Sequence, residues 1–192
     1  MVAVVSRRKD QHLDLCLHSD VESHLSSGLD GWTLEYDALP EMNLEQVDLT
    51  LSLFGKRLRA PILIGAMTGG SARAGELNRR LAAAAARVGI GMALGSQRAM
   101  LLDPSLTPSY AVREGAPSLP LLIGNLGAAQ LGGGLGPGAQ TTEAVLAALE
   151  TGLRRIGADA VAFHLNPLHE AAQPEGQCAF ARVTAGLAAA PR

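Results

Sequence analysis

The chain has 192 residues, 47% of them hydrophobic and 18% charged, and a formal net charge of −2 at pH 7. This composition is typical of a globular protein with a hydrophobic core and excludes an intrinsically disordered chain. The near-neutral charge excludes the overall basic field that nucleic-acid-binding and membrane-surface proteins carry. We therefore expect no nucleic-acid partner, and any phosphate group has to be bound by local side chains.

Membrane insertion and disulfide bonding are also not expected. The apolar stretch at positions 2–5 is too short for a signal peptide, and charge and glycine interrupt the apolar stretch at positions 81–94. The two cysteines show no metal-ligand spacing and are too few for a disulfide framework. These features predict no membrane partner and a cytoplasmic location.

Residues 1–60 are predicted to form an N-terminal segment. Positions 6–18 favour a helix and positions 33–36 an extended segment. The apolar residues between positions 49 and 60 predict a hairpin that turns at Gly55-Lys56.

Four short apolar runs, each ending in glycine and polar residues, dominate residues 61–192. They begin at positions 61, 91, 121 and 161. Runs of this length predict strands that are buried on both faces of a parallel sheet. We expect one βα unit per run, with the polar residues gathered at the carboxyl edge of the sheet, where such folds bind ligands.

Helical periodicity appears between the runs. Apolar residues at helical spacing predict one helix from about Ser71 to Gly89 and another from about Thr142 to Gly157. The connection between the second and third runs is less regular, and residues 109–114 predict only a short helix.

The ends of the first two runs carry groups that suit phosphate or a planar ring. Met67-Thr68-Gly69-Gly70 offers backbone amides and a hydroxyl to such a ligand, or forms only a tight turn. Arg98, in Gly95-Ser96-Gln97-Arg98, suits bidentate capture of phosphate or carboxylate, or pairs with a neighbouring aspartate.

The ends of the third and fourth runs add amides, imidazoles and a carboxylate. Asn125 can hydrogen-bond a heterocycle or serve as a turn residue. His164 and Asn166, two apart on a strand, share a face and can enter one pocket. Glu170 suits Mg²⁺ beside a phosphate, or is a solvated loop charge.

The basic cluster Arg7-Arg8-Lys9 lies in the N-terminal segment. Adjacent cations usually form a solvated surface. If the segment folds over the strand ends, Arg8 and Lys9 reach a diphosphate.

Taken together, the motifs resemble those of the type 2 isopentenyl-diphosphate isomerases, in matching order. They are Arg8-Lys9-x-x-His12, Met67-Thr-Gly-Gly70, Gly95-Ser-Gln-Arg98, Gly124-Asn125 and His164-Leu-Asn-Pro-Leu-x-Glu170. The resemblance implies a flavin-dependent (β/α)8 TIM barrel that interconverts isopentenyl and dimethylallyl diphosphate in isoprenoid biosynthesis. It also implies FMN, NADPH and Mg²⁺ as cofactors and a cytoplasmic homo-oligomer.

The resemblance assigns a role to each matching residue. It places Ala66, Met67, Thr68, Ser96 and Asn125 around FMN, Arg8, Lys9, His12, Arg98, His164 and His169 at the substrate, and Glu170 on Mg²⁺. His169 stands where the family has glutamine, and we predict it as the catalytic residue, with its role in proton relay left open because imidazole titrates near neutral pH.

A (β/α)8 barrel usually needs about 200 to 250 residues or more. We therefore expect only the first four βα units, as one domain spanning residues 61–192, with the C-terminal half of the barrel absent and residues 1–60 packed on it. The alternatives are a truncated, inactive half-barrel of this family, or another FMN-dependent TIM-barrel enzyme of the hydroxy-acid oxidase or IMP dehydrogenase type. Neither the late His-Arg pair of the first type nor the cysteine loop of the second is visible.

Overall fold

A computed structural model describes residues 2–136, 138, 140–173 and 176–190. The N-terminal part contains helix α1 (Val2–His18) and two short 3-10 turns, Leu29–Gly31 and Leu44–Gln46. The antiparallel strands β1 (Leu51–Leu53) and β2 (Lys56–Leu58) follow. The predicted hairpin is therefore confirmed, with its turn at Phe54-Gly55, one residue earlier than expected.

Each apolar run contributes one strand to a single parallel sheet. The strands are β3 (Leu63–Ile64), β4 (Gly91–Ala93), β5 (Leu122–Gly127) and β6 (Ala160–His164), and they lie in the order β3-β4-β5-β6. Within the described residues no pairing joins β3 to β6, so the sheet stays open. The expectation of a (β/α)8 TIM barrel is wrong, because closing a barrel requires every strand to pair on both sides.

Burial of the strands follows their position in the sheet. All six residues of β5 are buried, whereas those of β3 and β6 are intermediate or exposed. The prediction that all four strands are buried on both faces is therefore wrong for the outer two, since each of these has one unpaired edge.

The two long helices are confirmed. Helix α2 (Ala72–Val88) is capped by Ser71 and ends at Gly89, whose φ of 80° is the left-handed conformation that glycine adopts most readily. Helix α5 (Thr142–Ile156) is capped by Thr141 and ends in the same way at Gly157.

The shorter helices depart from expectation. The structure adds α3 (Arg98–Leu102), α4 (Ala129–Gly133) and α6 (Pro167–Ala172), and the last helix is α7 (Val183–Ala189). The short helix expected over 109–114 is instead two 3-10 segments, Pro104–Ser109 and Val112–Glu114. No strand forms at the expected extended segment 33–36, which lies in the described part of the chain.

The helices and the hairpin cover opposite faces of the sheet. Alternate β5 side chains point to opposite faces, and Leu122 and Leu126 pack with the helices while Ile123 packs with Leu58 of β2. The hairpin covers only part of its face. The next residue on that face, Asn125, lies at the open carboxyl end of β5.

Asp159, just before β6, ties the hairpin to the sheet. Its carboxylate accepts hydrogen bonds from the Leu122 amide at 2.9 Å and from Arg113, and it pairs with Lys56 of the hairpin at 3.0 Å. Burial opposes the charge, but the Leu122 amide, Lys56 and Arg113 together keep the pKa of Asp159 below its usual value. This network of hydrogen bonds and ion pairs lies at the amino edge of the sheet, away from the polar strand ends.

None of the described helices combines the length and apolarity needed to cross a membrane.

Candidate functional site

A polar cavity of about 310 Å³ lies at the carboxyl ends of the parallel strands. Eleven of the twelve residues predicted as site residues line it. They come from α1, from the segments that follow β3 and β4, from the start of α3, from the ends of β5 and β6, and from α6. They are Arg8, Lys9, His12, Ala66, Met67, Ser96, Arg98, Asn125, His164, His169 and Glu170. The open edge of the sheet thus brings together residues that lie far apart along the chain.

Thr68 is the exception. It is buried, and instead of lining the polar cavity it lines a neighbouring groove between α1 and α2. Its hydroxyl oxygen has no hydrogen-bond partner among the described residues. A buried hydroxyl without a hydrogen-bond partner is costly, so the Thr68 hydroxyl is an unused polar atom that a ligand can satisfy.

Asn125 and His164 are held together across β5 and β6. The Oδ1 atom of Asn125 lies 2.8 Å from Nδ1 of His164, so this ring nitrogen carries the proton and donates. Burial lowers the pKa of His164, the Glu170 carboxylate opposes that shift, and Lys9 and His169 reinforce it. The side of the cavity formed by these two residues therefore presents a neutral imidazole and an amide at neutral pH.

Gln97 fixes the ends of β4 and β5 relative to each other. Its side chain is fully buried, donates to the Gly95 carbonyl at 2.7 Å and accepts a hydrogen bond from the backbone amide of Asn125. The backbone amide of Gln97 also donates to the backbone carbonyl of Asn125 at 2.8 Å. Because every bond ends on the backbone, Gln97 positions Ser96, Arg98 and Asn125 around the cavity.

Polar contacts bring α1 over the strand ends. Arg8 donates to the side-chain oxygen of Gln173 at 2.7 Å, and Ser71 donates to Asp10 at 2.6 Å. Burial lowers the pKa of Lys9, and the adjacent Arg8 lowers it further. Helix α1 thus lies over the strand ends, as the contact of Arg8 and Lys9 with a diphosphate requires, and both residues line the cavity.

Arg98 is anchored beside the same cavity. Its Nε donates to the Leu135 carbonyl at 3.1 Å. Together with Arg8 and Lys9 it gives the cavity three cationic side chains, a combination that suits a multiply charged anion.

Glu170 is the buried carboxylate of the site. It is 8% exposed, and its Oε2 accepts a hydrogen bond from the Gln177 amide at 2.8 Å. Among the described residues, no group of three or more histidine, cysteine or acidic side chains is arranged to hold a metal ion. Mg²⁺ commonly takes one or two carboxylates and completes its shell with phosphate oxygens and water, so one glutamate beside three cations fits a metal that enters with a phosphate ligand.

His169 lies at the exposed rim of the cavity. Its Nδ1 is 3.3 Å from the Asn166 amide, and its Nε2 contacts the Gln173 amide. Gln173 in turn accepts from Arg8, so a chain of side chains links α6 to α1. The catalytic role predicted for His169 stays a prediction.

Two polar lining residues escaped the sequence analysis. Gln130 is buried and donates to the Gln177 side chain at 2.8 Å, on the segment that holds Glu170. Gln173 follows His169 by four positions, the spacing of neighbours on one helix face. That spacing could have indicated that Gln173 lies beside His169. No sequence pattern could have indicated Gln130, because its partner Gln177 is distant in sequence.

No family model matches the chain. Curated relatives do match the chain. Three of them, each named isopentenyl-diphosphate delta-isomerase, show how far the similarity extends. The chain is 45% identical to the protein of Mycolicibacterium vanbaalenii over 93% of its own length and 49% of the relative. It is 47% identical to the Deinococcus radiodurans protein over 94% of its own length and 51% of the relative. It is 43% identical to the Pyrococcus horikoshii protein over 94% of its own length and 48% of the relative.

The similarity covers nearly the whole chain, whereas the chain spans about half the length of these curated relatives. The names confirm the resemblance to isopentenyl-diphosphate isomerases that the motifs indicated. They carry no statement about the type of isomerase or about a flavin. Over nine tenths of its length, the chain is therefore similar to proteins named isopentenyl-diphosphate delta-isomerase.

Proposed function

We propose that this chain forms the diphosphate-binding part of an isopentenyl-diphosphate delta-isomerase, which interconverts isopentenyl diphosphate and dimethylallyl diphosphate. The observation that carries the proposal is the convergence of three cations, Arg8, Lys9 and Arg98, and the buried carboxylate of Glu170 on one cavity. A diphosphate needs several cationic donors, and its bound Mg²⁺ needs a carboxylate. The names of the relatives supply the reaction.

Arg8, Lys9 and Arg98 bind the diphosphate oxygens in this proposal. Arg8 is oriented by Gln173 and Arg98 by the Leu135 carbonyl, so less side-chain freedom is lost when the anion binds. His12 and His164 lie next to the same cavity and contact the substrate near its diphosphate. Glu170 is the residue that would hold a Mg²⁺ ion accompanying the diphosphate.

We further propose that the reaction is of the flavin-dependent, type 2 kind. Bound FMN, kept reduced by NADPH, would supply an acid and a base for the substrate carbons. Ala66, Met67, Thr68, Ser96 and Asn125 are the residues that would hold it. The buried, unsatisfied hydroxyl of Thr68 supports this assignment, because a polar ligand atom would give it the partner that the described residues do not.

The reaction moves one proton without a net redox change. One proton is added to the terminal methylene carbon of isopentenyl diphosphate, which becomes a methyl group, and one is lost from the carbon next to the oxygen-bearing carbon. The double bond shifts between them, so atoms and charge balance. Within the proposal, His169 assists as a proton relay at the cavity rim, and the family resemblance that motivates this scheme also implies a cytoplasmic homo-oligomer.

The proposal is tested by incubating the chain with isopentenyl diphosphate, Mg²⁺, FMN and NADPH without oxygen, and following both isomers by proton NMR. Substrate binding is measured in parallel by calorimetry, with Arg98→Ala as the site variant and Arg155→Ala, on α5, as its matched control. We expect binding that Arg98→Ala weakens and Arg155→Ala does not, and formation of dimethylallyl diphosphate. Absence of substrate binding would overturn the proposal, whereas binding without turnover would restrict this chain to holding the substrate.

A further inference from the structure

A second, apolar depression adjoins the polar cavity. It has a volume of about 790 Å³ and lies between α1 and α2. Its walls are largely apolar, with Leu13, Cys16 and Leu17 on α1 and Leu77 on α2. We refer to it as the α1–α2 groove.

Of the three charged residues that line the groove, Arg73, Glu76 and Arg80, the first two form ion pairs. Arg73 pairs with Asp14 at 2.8 Å, and Glu76 pairs with Arg79 at 2.9 Å. These pairs leave the groove better suited to an uncharged apolar group than to a second anion.

The groove and the polar cavity share part of their walls. His12 and Met67 line both. A ligand whose anionic head lies against Arg8, Lys9 and Arg98 can therefore pass these two residues and continue into the groove. The combination of a cationic cavity with an adjoining apolar groove selects for an amphiphile.

We propose that the α1–α2 groove binds the hydrocarbon tail of a prenyl diphosphate longer than five carbons, with its diphosphate in the polar cavity. This inference rests on the proposed function, because it uses the same diphosphate site. A five-carbon chain is too short to extend far beyond the head site, so the groove adds affinity only for longer chains. Such a ligand occupies the substrate's head site and is a competitive inhibitor.

The experiment titrates three probes into the chain in the presence of Mg²⁺: inorganic pyrophosphate, isopentenyl diphosphate and geranyl diphosphate. Five further carbons, buried in part, should tighten binding of the ten-carbon ligand about tenfold or more over the five-carbon one. Pyrophosphate reports the head site alone. Failure to bind pyrophosphate would count against the proposed function, whereas pyrophosphate binding without isomerisation would leave both the diphosphate site and the groove standing.

A matched pair of variants locates the tail. Leu17 lines the groove and Leu15, on the same helix, does not, and both are exposed at 68% and 52%. Leu17→Glu should remove most of the gain for geranyl diphosphate and leave pyrophosphate affinity unchanged, whereas Leu15→Glu should change neither. Because both side chains are exposed, neither substitution threatens folding.

Three results would overturn the inference. Geranyl diphosphate binding no tighter than isopentenyl diphosphate would show that no tail site exists. An equal loss in Leu15→Glu and Leu17→Glu would place the apolar contact elsewhere on α1. Sedimentation in which Leu17→Glu alone abolishes self-association, with geranyl affinity unchanged, would assign the groove to a second copy of the chain.

Discussion

Lys9 illustrates how burial tunes a charge at the site. Its ammonium group is partly buried beside Arg8, and both factors lower its pKa below the ordinary value of 10.5. Because a cation with a lowered pKa loses its proton at a lower pH, Lys9 becomes neutral in a range where an exposed lysine is still charged. Any anion that depends on Lys9 loses affinity in that same range.

We predict that pyrophosphate affinity falls as the pH rises through the lowered pKa of Lys9, below the ordinary value of 10.5. Lys9→Arg is the control, because a guanidinium stays protonated throughout this range. Calorimetric titrations at several pH values should show a steeper loss in the natural chain than in Lys9→Arg. Identical pH profiles for the two proteins would remove Lys9 from the anion site.

The positions of polar residues at the strand ends, together with the family resemblance, indicated most of the residues that line the cavity. Parallel strands bring their carboxyl ends to one edge, so Arg98, Asn125 and His164, each near the carboxyl end of a strand, had to meet. Gln97 and Gln130 were not foreseen in their positioning roles, since their partners are backbone atoms or side chains on other segments. Such contacts depend on tertiary packing that no local pattern reports.

Helix α2 links the core to the site at the level of secondary structure. Ser71 accepts a hydrogen bond from the Ala74 amide at 3.2 Å, which caps α2, and donates to Asp10 of α1 at 2.6 Å. Thr141 caps α5 in the same way, through the Ala144 amide at 3.2 Å. Ser71 alone connects its cap to the helix that carries Arg8 and Lys9.

We predict that Ser71→Ala and Thr141→Ala each lower the free energy of unfolding by about 1 kcal/mol through loss of a helix cap. Only Ser71→Ala should also weaken pyrophosphate binding, by several-fold, because α1 loses one of its attachments over the cavity. Urea denaturation measures the first effect and calorimetry the second. Equal pyrophosphate affinity in the two variants would show that the Asp10 contact does not position α1.

At the level of elements, periodicity was informative only where it had enough length. The helices α2 and α5 have 17 and 15 residues with clear cap signals, and both were predicted. Helix α3 spans five residues, too few to show a period, and it was missed. The TIM-barrel class, of which only the first four βα units were expected, was inferred from family resemblance and is wrong for this open four-stranded sheet.

On the scale of the whole molecule, the main exposed apolar surface lies in residues 19–50. Trp32, Leu34 and Tyr36 are 80%, 92% and 88% exposed. The outer strands β3 and β6 add unpaired edges, which favour association with another chain. The expected homo-oligomer is consistent with such surfaces and remains a proposal.

We predict that the chain self-associates through this apolar segment. Trp32 is the single tryptophan, so its fluorescence should shift to longer wavelength on dilution as the indole becomes exposed to water. Sedimentation velocity over the same concentrations should show a falling average mass, and Leu34→Glu should shift dissociation to higher concentration. A monomer at every concentration, with a constant emission maximum, would contradict the prediction.

The central claim is that the cavity at the strand ends binds a diphosphate together with Mg²⁺ on Glu170. The most direct test is calorimetric binding of isopentenyl diphosphate with and without Mg²⁺, in the natural chain, in Glu170→Gln and in Glu150→Gln, whose glutamate lies on the exposed side of α5. We predict that Mg²⁺ tightens binding about tenfold or more in the natural chain and in Glu150→Gln, and that Glu170→Gln loses this gain, because an amide is a poorer ligand for Mg²⁺ than a carboxylate. An unchanged Mg²⁺ dependence in Glu170→Gln, or no dependence in the natural chain, would contradict it.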